Sequence, residues 1–116
     1  MIEQWIAEIK KSAPAEGLGM ILVHNGVVRA TSKTGGAVGG MKLSYDRAGL
    51  EKALADFRGR EGIADIRAWI NEGDLNVGDD IMVVVVAGRF RKDIVPVFQE
   101  LITLIKTQIV REEERS

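Results

Sequence analysis

The sequence predicts a single α+β domain spanning residues 1–116. Three observations carry this reading: a helical stripe of apolar residues at each end of the chain, alternating apolar residues at 41–45 and 66–70, and one uninterrupted apolar run at 81–87. The first has the 3.6-residue period of a helix with one buried face. The second has the period of two that marks a half-buried strand. The third fits a strand covered on both sides. A chain of 116 residues suits one domain and buries roughly two-thirds of the surface an unfolded chain exposes. No internal repeat or linker interrupts it.

Ile2, Trp5, Ile6 and Ile9 share one helical face, opposite Glu3, Gln4, Glu8 and Lys10, so the spacing predicts a helix over 2–12 that stops before Pro14. Residues 20–24 read as a strand. Asn25-Gly26 is a two-residue turn signal, which predicts a hairpin with 27–31 as the returning strand; a bulge within one longer strand is the competing reading. Residues 32–40 contain four glycines and nothing apolar enough to anchor them. They are expected to form a mobile loop, either a plain hairpin tip or a flap over a ligand.

Met41, Leu43 and Tyr45 alternate with Lys42 and Ser44 as a strand. Asp46 stands where an N-cap belongs, ahead of Leu50, Ala53, Leu54 and Phe57 on one helical face ending near Gly59 or Gly62. Ile66, Ala68 and Ile70 mark another strand, with Trp69 on its opposite face. Gly73 and Gly78 are expected to bracket a turn. Ile94, Phe98, Leu101, Ile105 and Ile109 form the stripe of a long helix over about 93–112, with Pro96 in its first turn.

Composition excludes several kinds of function. The 16 basic and 17 acidic residues give a formal net charge of −1, without the basic excess of a general nucleic-acid binder. Cysteine is absent, which removes disulfides, thiolate metal sites and cysteine nucleophiles. A single histidine, His24, removes zinc sites that need two or more imidazoles. The longest apolar run, seven residues, is far too short to span a membrane. The N-terminus lacks the basic-then-apolar order of a secretory signal, and a cytoplasmic location is the expectation.

The glycine loop does not spell a dinucleotide or phosphate-loop motif, and no helix follows it. Glu72 with Asp74, Asp79 with Asp80, and the run Glu112-Glu113-Glu114 read as solvated turn or helix-end residues. His24 reads as structural, although its titration near neutral pH leaves a functional role open. The basic residues fall at more telling places. Arg29 ends a strand before the glycine loop, Arg89 and Arg91 stand between the apolar strand and the last helix, and Lys106 adjoins Ile105 on that helix. Each alone is an ordinary surface charge. Together, Arg29, Arg91 and Lys106 would make an anion pocket, with forked arginine donors and a lysine able to act as acid, base or nucleophile.

The succession Gly19-Met-Ile-Leu-Val-His-Asn-Gly-Val-Val-Arg29, then Leu43-Ser-Tyr45, then Gly73-Asp-Leu-Asn-Val-Gly78-Asp resembles the large, catalytic subunit of molybdopterin synthase. Phe90-Arg91-Lys92 and Leu104-Ile-Lys106 extend the likeness, which covers about residues 17–112 and rests on order and spacing. The resemblance implies an α/β-hammerhead-like domain with a mixed or antiparallel sheet and a long C-terminal helix. It implies a homodimer whose protomers each hold a ubiquitin-like sulfur-carrier small subunit. That partner would insert its Gly-Gly tail, as a thiocarboxylate, and two sulfurs would pass to cyclic pyranopterin monophosphate without any cofactor. By this likeness Lys106 would be catalytic, and Arg29, Arg91, Phe90 and Arg111 would contact the substrate or the tail.

The chain departs from the family pattern in three places. Phe90 stands where a histidine is usual, and Ile70-Asn71-Glu72-Gly73 replaces His-Arg-x-Gly. A second functional lysine falls on Glu113, or on Arg111 if two residues are deleted. Arginine can replace that charge but not its proton chemistry. These departures define an alternative: an inactive homologue serving as a dimeric binding module for a ubiquitin-like partner. An unrelated small α+β dimer is the third reading.

Overall fold

The computed structural model describes all 116 residues. In chain order it contains α1 (Ile2–Ser12), β1 (Met20–Val27), β2 (Gly40–Tyr45), α2 (Arg47–Arg58), β3 (Ile63–Ile70), β4 (Gly73–Asn76), β5 (Asp80–Gly88), α3 (Arg91–Leu104), a π-helical turn (Ile105–Ile109) and β6 (Val110–Arg115). These strands make two antiparallel three-stranded sheets, ordered β1-β5-β3 and β4-β2-β6. The molecule is elongated, 48 × 25 × 23 Å. Its radius of gyration of 15.3 Å exceeds the roughly 13 Å expected for a compact chain this long.

β5 is the centre of the fold, and every side chain from Ile81 to Ala87 is buried. Its residues divide between two cores because successive side chains point to opposite faces. Met82, Val84 and Val86 face the larger core, with Leu50, Leu54 and Phe57 of α2 and Ile94 and Leu101 of α3. Val83, Val85 and Ala87 face the smaller one, closed by Ile9 and Trp5 of α1. Full burial of a side chain such as Ile94, Leu101 or Ile105 contributes roughly 1.5–3 kcal/mol. Asp46 caps α2 as its position in the sequence predicts, its carboxylate accepting from the Gly49 N–H at 3.0 Å.

Several expectations are corrected. Residues 20–27 form one strand rather than the arm of a hairpin at Asn25-Gly26. Neither of those residues has the positive φ that such a turn demands, and the β1–β5 register instead shifts at Gly26/Val27, the bulge that the sequence also allowed. The loop between β1 and β2 does have an apolar anchor: Val28 and Val38 are buried, and the Val38 N–H donates to the Ala30 carbonyl. The stretch from Gly73 to Gly78 is not only a turn. Gly73–Asn76 is strand β4, paired to β2, and the turn itself sits at Gly78, whose φ of +93° is open chiefly to glycine.

The largest correction lies at the C-terminus. The expected helix over 93–112 ends at Leu104, widens into the π turn and leaves as β6, which pairs with β2 from Tyr45↔Val110 to Gly40↔Arg115. Glu112-Glu113-Glu114 are therefore strand residues. Five consecutive charged side chains on an edge strand deter pairing with other chains. Arg115 fastens the strand by donating to the Met41 and Leu75 carbonyls at 3.3 and 3.2 Å. Because α3 begins at Arg91, Pro96 falls in its second turn and not its first.

Candidate functional site

A cleft of about 510 Å³ opens where β1, the following loop, the π turn and β6 meet. Val27 enters it from the end of β1; Arg29, expected to end a strand, lies two residues past it and enters from the loop with Ser32, Lys33 and Thr34. Met41 and Ile81 line it from the two sheets, Lys106 from the π turn, and Glu112 and Glu114 from β6. The loop is shaped by its own hydrogen bonds. The Ser32 N–H donates to the Gly36 carbonyl, the Gly36 N–H donates to Ser32 Oγ at 3.1 Å, and Ser32 and Thr34 hydroxyls lie 3.0 Å apart.

Lys106 owes its place to the π turn. Ile105 and Ile109 are both buried there, and the Val110 N–H closes the wide turn on the Ile105 carbonyl. The Asp46 N–H donates to the Ile109 carbonyl, so the cap of α2 also holds this turn. Single π turns inside helices recur at functional sites because they re-aim neighbouring side chains. Lys106 is exposed, makes no ion pair and stands within electrostatic reach of His24. Burial, and after it the Lys106 ammonium, lower the His24 pKa below its ordinary 6.5. Arg29 donates from Nε to the Thr31 carbonyl at 2.7 Å, which fixes its stem and leaves the two terminal nitrogens for a ligand. Three unpaired cations thus share the cleft with two carboxylates, an arrangement able to hold a small anion.

The remaining residues singled out from sequence lie elsewhere. Phe90 and Arg91 stand at the start of α3, about fifteen residues or roughly 22 Å along the helix from Lys106. Phe90 is 54% exposed, with the Arg89 and Lys92 cations 5.3 and 5.9 Å from its ring. Arg111 lies on β6 opposite Ser44, and alternation turns it to the other face from Glu112 and Glu114. Folding therefore brings Arg29 and Lys106 together, and leaves Arg91, Phe90 and Arg111 outside that cleft within one chain.

Sequence reasoning passed over Lys33, Ser32 and Thr34, which looked like loop filler. It also passed over Glu112 and Glu114, whose alternation was hidden by the helical reading of that segment. A larger groove, about 650 Å³, runs between α2 and α3. Its arginine, Arg60, is already paired to Glu100 at 2.7 Å and to Asp56 at 3.5 Å, so it offers no free charge. No three His, Cys, Asp or Glu side chains cluster as a metal site would require, and no helix is long and apolar enough to cross a membrane.

A family model described as MoaE protein matches residues 2–108. No curated protein matches the chain. Among solved structures, it is similar to a molybdopterin biosynthesis MoaE protein from Burkholderia ambifaria, with a TM-score of 0.78 and 22% identity over 99% of this chain and 80% of that one. It is similar to a molybdopterin synthase from Staphylococcus aureus, with a TM-score of 0.75 and 21% identity over 99% and 84% of the two chains. A third likeness is to a protein–protein complex of subunits 1 and 2 of molybdopterin-converting factor from Helicobacter pylori. There the TM-score is 0.72 and the identity 19%, over 97% and 77%. At these identities the likeness is one of fold.

Proposed function

The chain belongs to the MoaE protein family, and from that premise we propose that it is the large subunit of a molybdopterin synthase. It takes sulfur from a thiocarboxylated, ubiquitin-like small subunit and delivers it to cyclic pyranopterin monophosphate. The observation that carries this reading is the meeting of Arg29 and Lys106, both without carboxylate partners, in one cleft. Both reactants are anionic. A thiocarboxylate tail and a substrate phosphate are each drawn by unpaired cations in a recess where water screens them less.

Arg29, with its stem tied to Thr31, offers a fixed fork to phosphate or carboxylate oxygens. Lys106 balances charge as the thiocarboxylate sulfur bonds to a substrate carbon. It moves a proton as water attacks the acyl carbon, which breaks its bond to sulfur and releases the tail as a carboxylate. Each tail carries one sulfur, so a dithiolene product consumes two loaded small subunits. Phe90 and Arg91, at the far end of α3, would reach such a cleft only from a second copy of the chain. A homodimer is therefore part of the proposal.

A second reading is favoured by one observation: Glu112 and Glu114 occupy the cleft, and no second lysine from β6 faces it. On that reading the chain binds a ubiquitin-like partner without turnover. The deciding experiment measures product from the cyclic precursor and a thiocarboxylated small subunit, for wild type and Lys106→Ala. Product from wild type alone supports the synthase. A stoichiometric complex with no product from either protein supports the binding module, and no complex at all overturns both.

A further inference from the structure

His24 carries the one buried side-chain polar atom with no partner: its Nε2 is shut off from solvent and makes no hydrogen bond. Such an atom is costly to bury, and most buried polar groups are paired. The ring lies edge-on to Phe98 of α3, with centroids 6.5 Å apart and planes at 66°. Opposite it on β5 is Val84. Nε2 lies beside Gly26, where a Cβ would come within 3.3 Å of it and within 3.6 Å of the Ile81 Cβ. Ile81 in turn lines the cleft together with Lys106. The imidazole tip therefore stands close to the Ile81 side of the cleft that Lys106 lines, where a side chain at 26 would crowd it.

An acceptor without a donor and a lysine without an ion pair stand within electrostatic reach of one another. Phe98 and Val84 bring no charge to the imidazole, and Lys106 is the charged group that acts on it. Arg29, Lys33, Glu112 and Glu114 lie around the same cleft. The ammonium disfavours a charged imidazole, which leaves a neutral ring that can accept. The four-carbon stem of lysine is flexible enough to turn its amine inward.

We propose that His24 is the positioning residue of Lys106: with its proton on Nδ1, the neutral ring accepts a hydrogen bond at Nε2 from the lysine ammonium and fixes the amine at the inner wall of the cleft. No bond is made or broken in this role, and both groups keep their protons. The pairing itself stands on the residues just described. Only its catalytic consequence rests on the function proposed above.

Because the chain has one histidine, its imidazole gives a single set of signals in a proton–nitrogen NMR titration of the intact protein. The expected neutral form has a bare Nε2, and its titration midpoint lies below 6.5. Lys106→Gln moves that midpoint up, and Lys106→Arg, which restores the charge, brings it back down. A proton on Nε2 in the neutral form, or a midpoint indifferent to Lys106→Gln, overturns the proposal.

In the sulfur-transfer assay, His24→Phe keeps the packing on Phe98 but removes the acceptor. It is expected to lower kcat about tenfold with KM little changed, the loss of one hydrogen bond. His24→Gln is expected to recover part of the rate, while His24→Phe at the wild-type kcat overturns the proposal. If wild type transfers no sulfur, the proposed function falls, and the titration alone still decides whether His24 and Lys106 act as a pair.

Discussion

At the N-terminal end of α3, Arg89 is held by Asp93 at 2.9 Å and by Glu61 at 3.0 Å, whereas at the C-terminal end Lys106 touches no carboxylate. The helix dipole favours Asp93 near the start and a cation near the finish. The dipole opposes a cation such as Arg89 at the helix start, so Asp93 and Glu61, and not the dipole, keep it there. Their partners separate them. Arg89 spends its donors on the fold, and its pKa is raised by the hydrogen bonds to Asp93 and Glu61. Lys106 keeps its donors, within electrostatic reach of an imidazole with an unused nitrogen. A cation with satisfied partners is a brace; one left unpaired in a recess is available to a ligand.

That contrast can be broken first at Lys106. Lys106→Ala is expected to lower sulfur transfer by about 10²–10⁴-fold, the usual effect of removing a proton-transferring group. Thermal stability should stay within about 0.5 kcal/mol of wild type, as for other exposed sites. A variant that loses both activity and stability would make Lys106 a brace as well. Arg29→Ala is expected to raise KM for the anionic substrate by about tenfold, near the lower end of what a hydrogen bond to a charged group contributes. Steady-state kinetics on the purified complex measures this, and a fall in kcat alone would contradict the binding role.

The opposite end responds in the opposite way. Gly62 has a φ of +80°, and a Cβ there would overlap the Asp93 carboxylate that holds Arg89. Gly62→Ala is expected to destabilise the fold by about 1–3 kcal/mol, from backbone strain and displacement of Asp93. Denaturant unfolding measures this loss, and KM should remain unchanged because the cleft lies at the other end of the helix. Arg89→Gln should show a smaller loss that high salt reduces but does not erase, since the pair with Glu61 is exposed and the one with Asp93 is sheltered.

The smallest effect is one of pH. The folded His24 pKa lies below 6.5, so the unfolded chain takes up this proton first as pH falls. The stability contributed by the neutral ring is complete above pH 6.5. It is lost progressively as pH drops from there through the folded pKa. His24→Phe should lack this component of the acid limb, and urea melts at a series of pH values would show it.

Elements whose signal is local were legible in the sequence. The stripe of Ile2, Trp5, Ile6 and Ile9, the Asp46 cap and the apolar run centred on Val84 each carry their own instruction, because burial and capping act within a few residues. The cleft was half legible. Arg29 and Lys106 stood out as cations at element ends, but nothing local said that they meet while Arg91 lies a helix length away. Charged residues have no periodicity that reveals their partners.

The α+β class, the central strand and the family likeness could be read along the chain, since they follow from apolar period and the order of motifs. The fate of residues 105–115 was settled by contacts between distant segments. Ile105 and Ile109 continue a helical stripe, yet both are buried through a π turn, and the charged tail becomes a strand because its backbone finds β2 about seventy residues earlier. Strand pairing is a contract between distant backbones, and no side-chain pattern within Val110–Arg115 announces it. That pairing turns Glu112 and Glu114 into the cleft and Arg111 away from it.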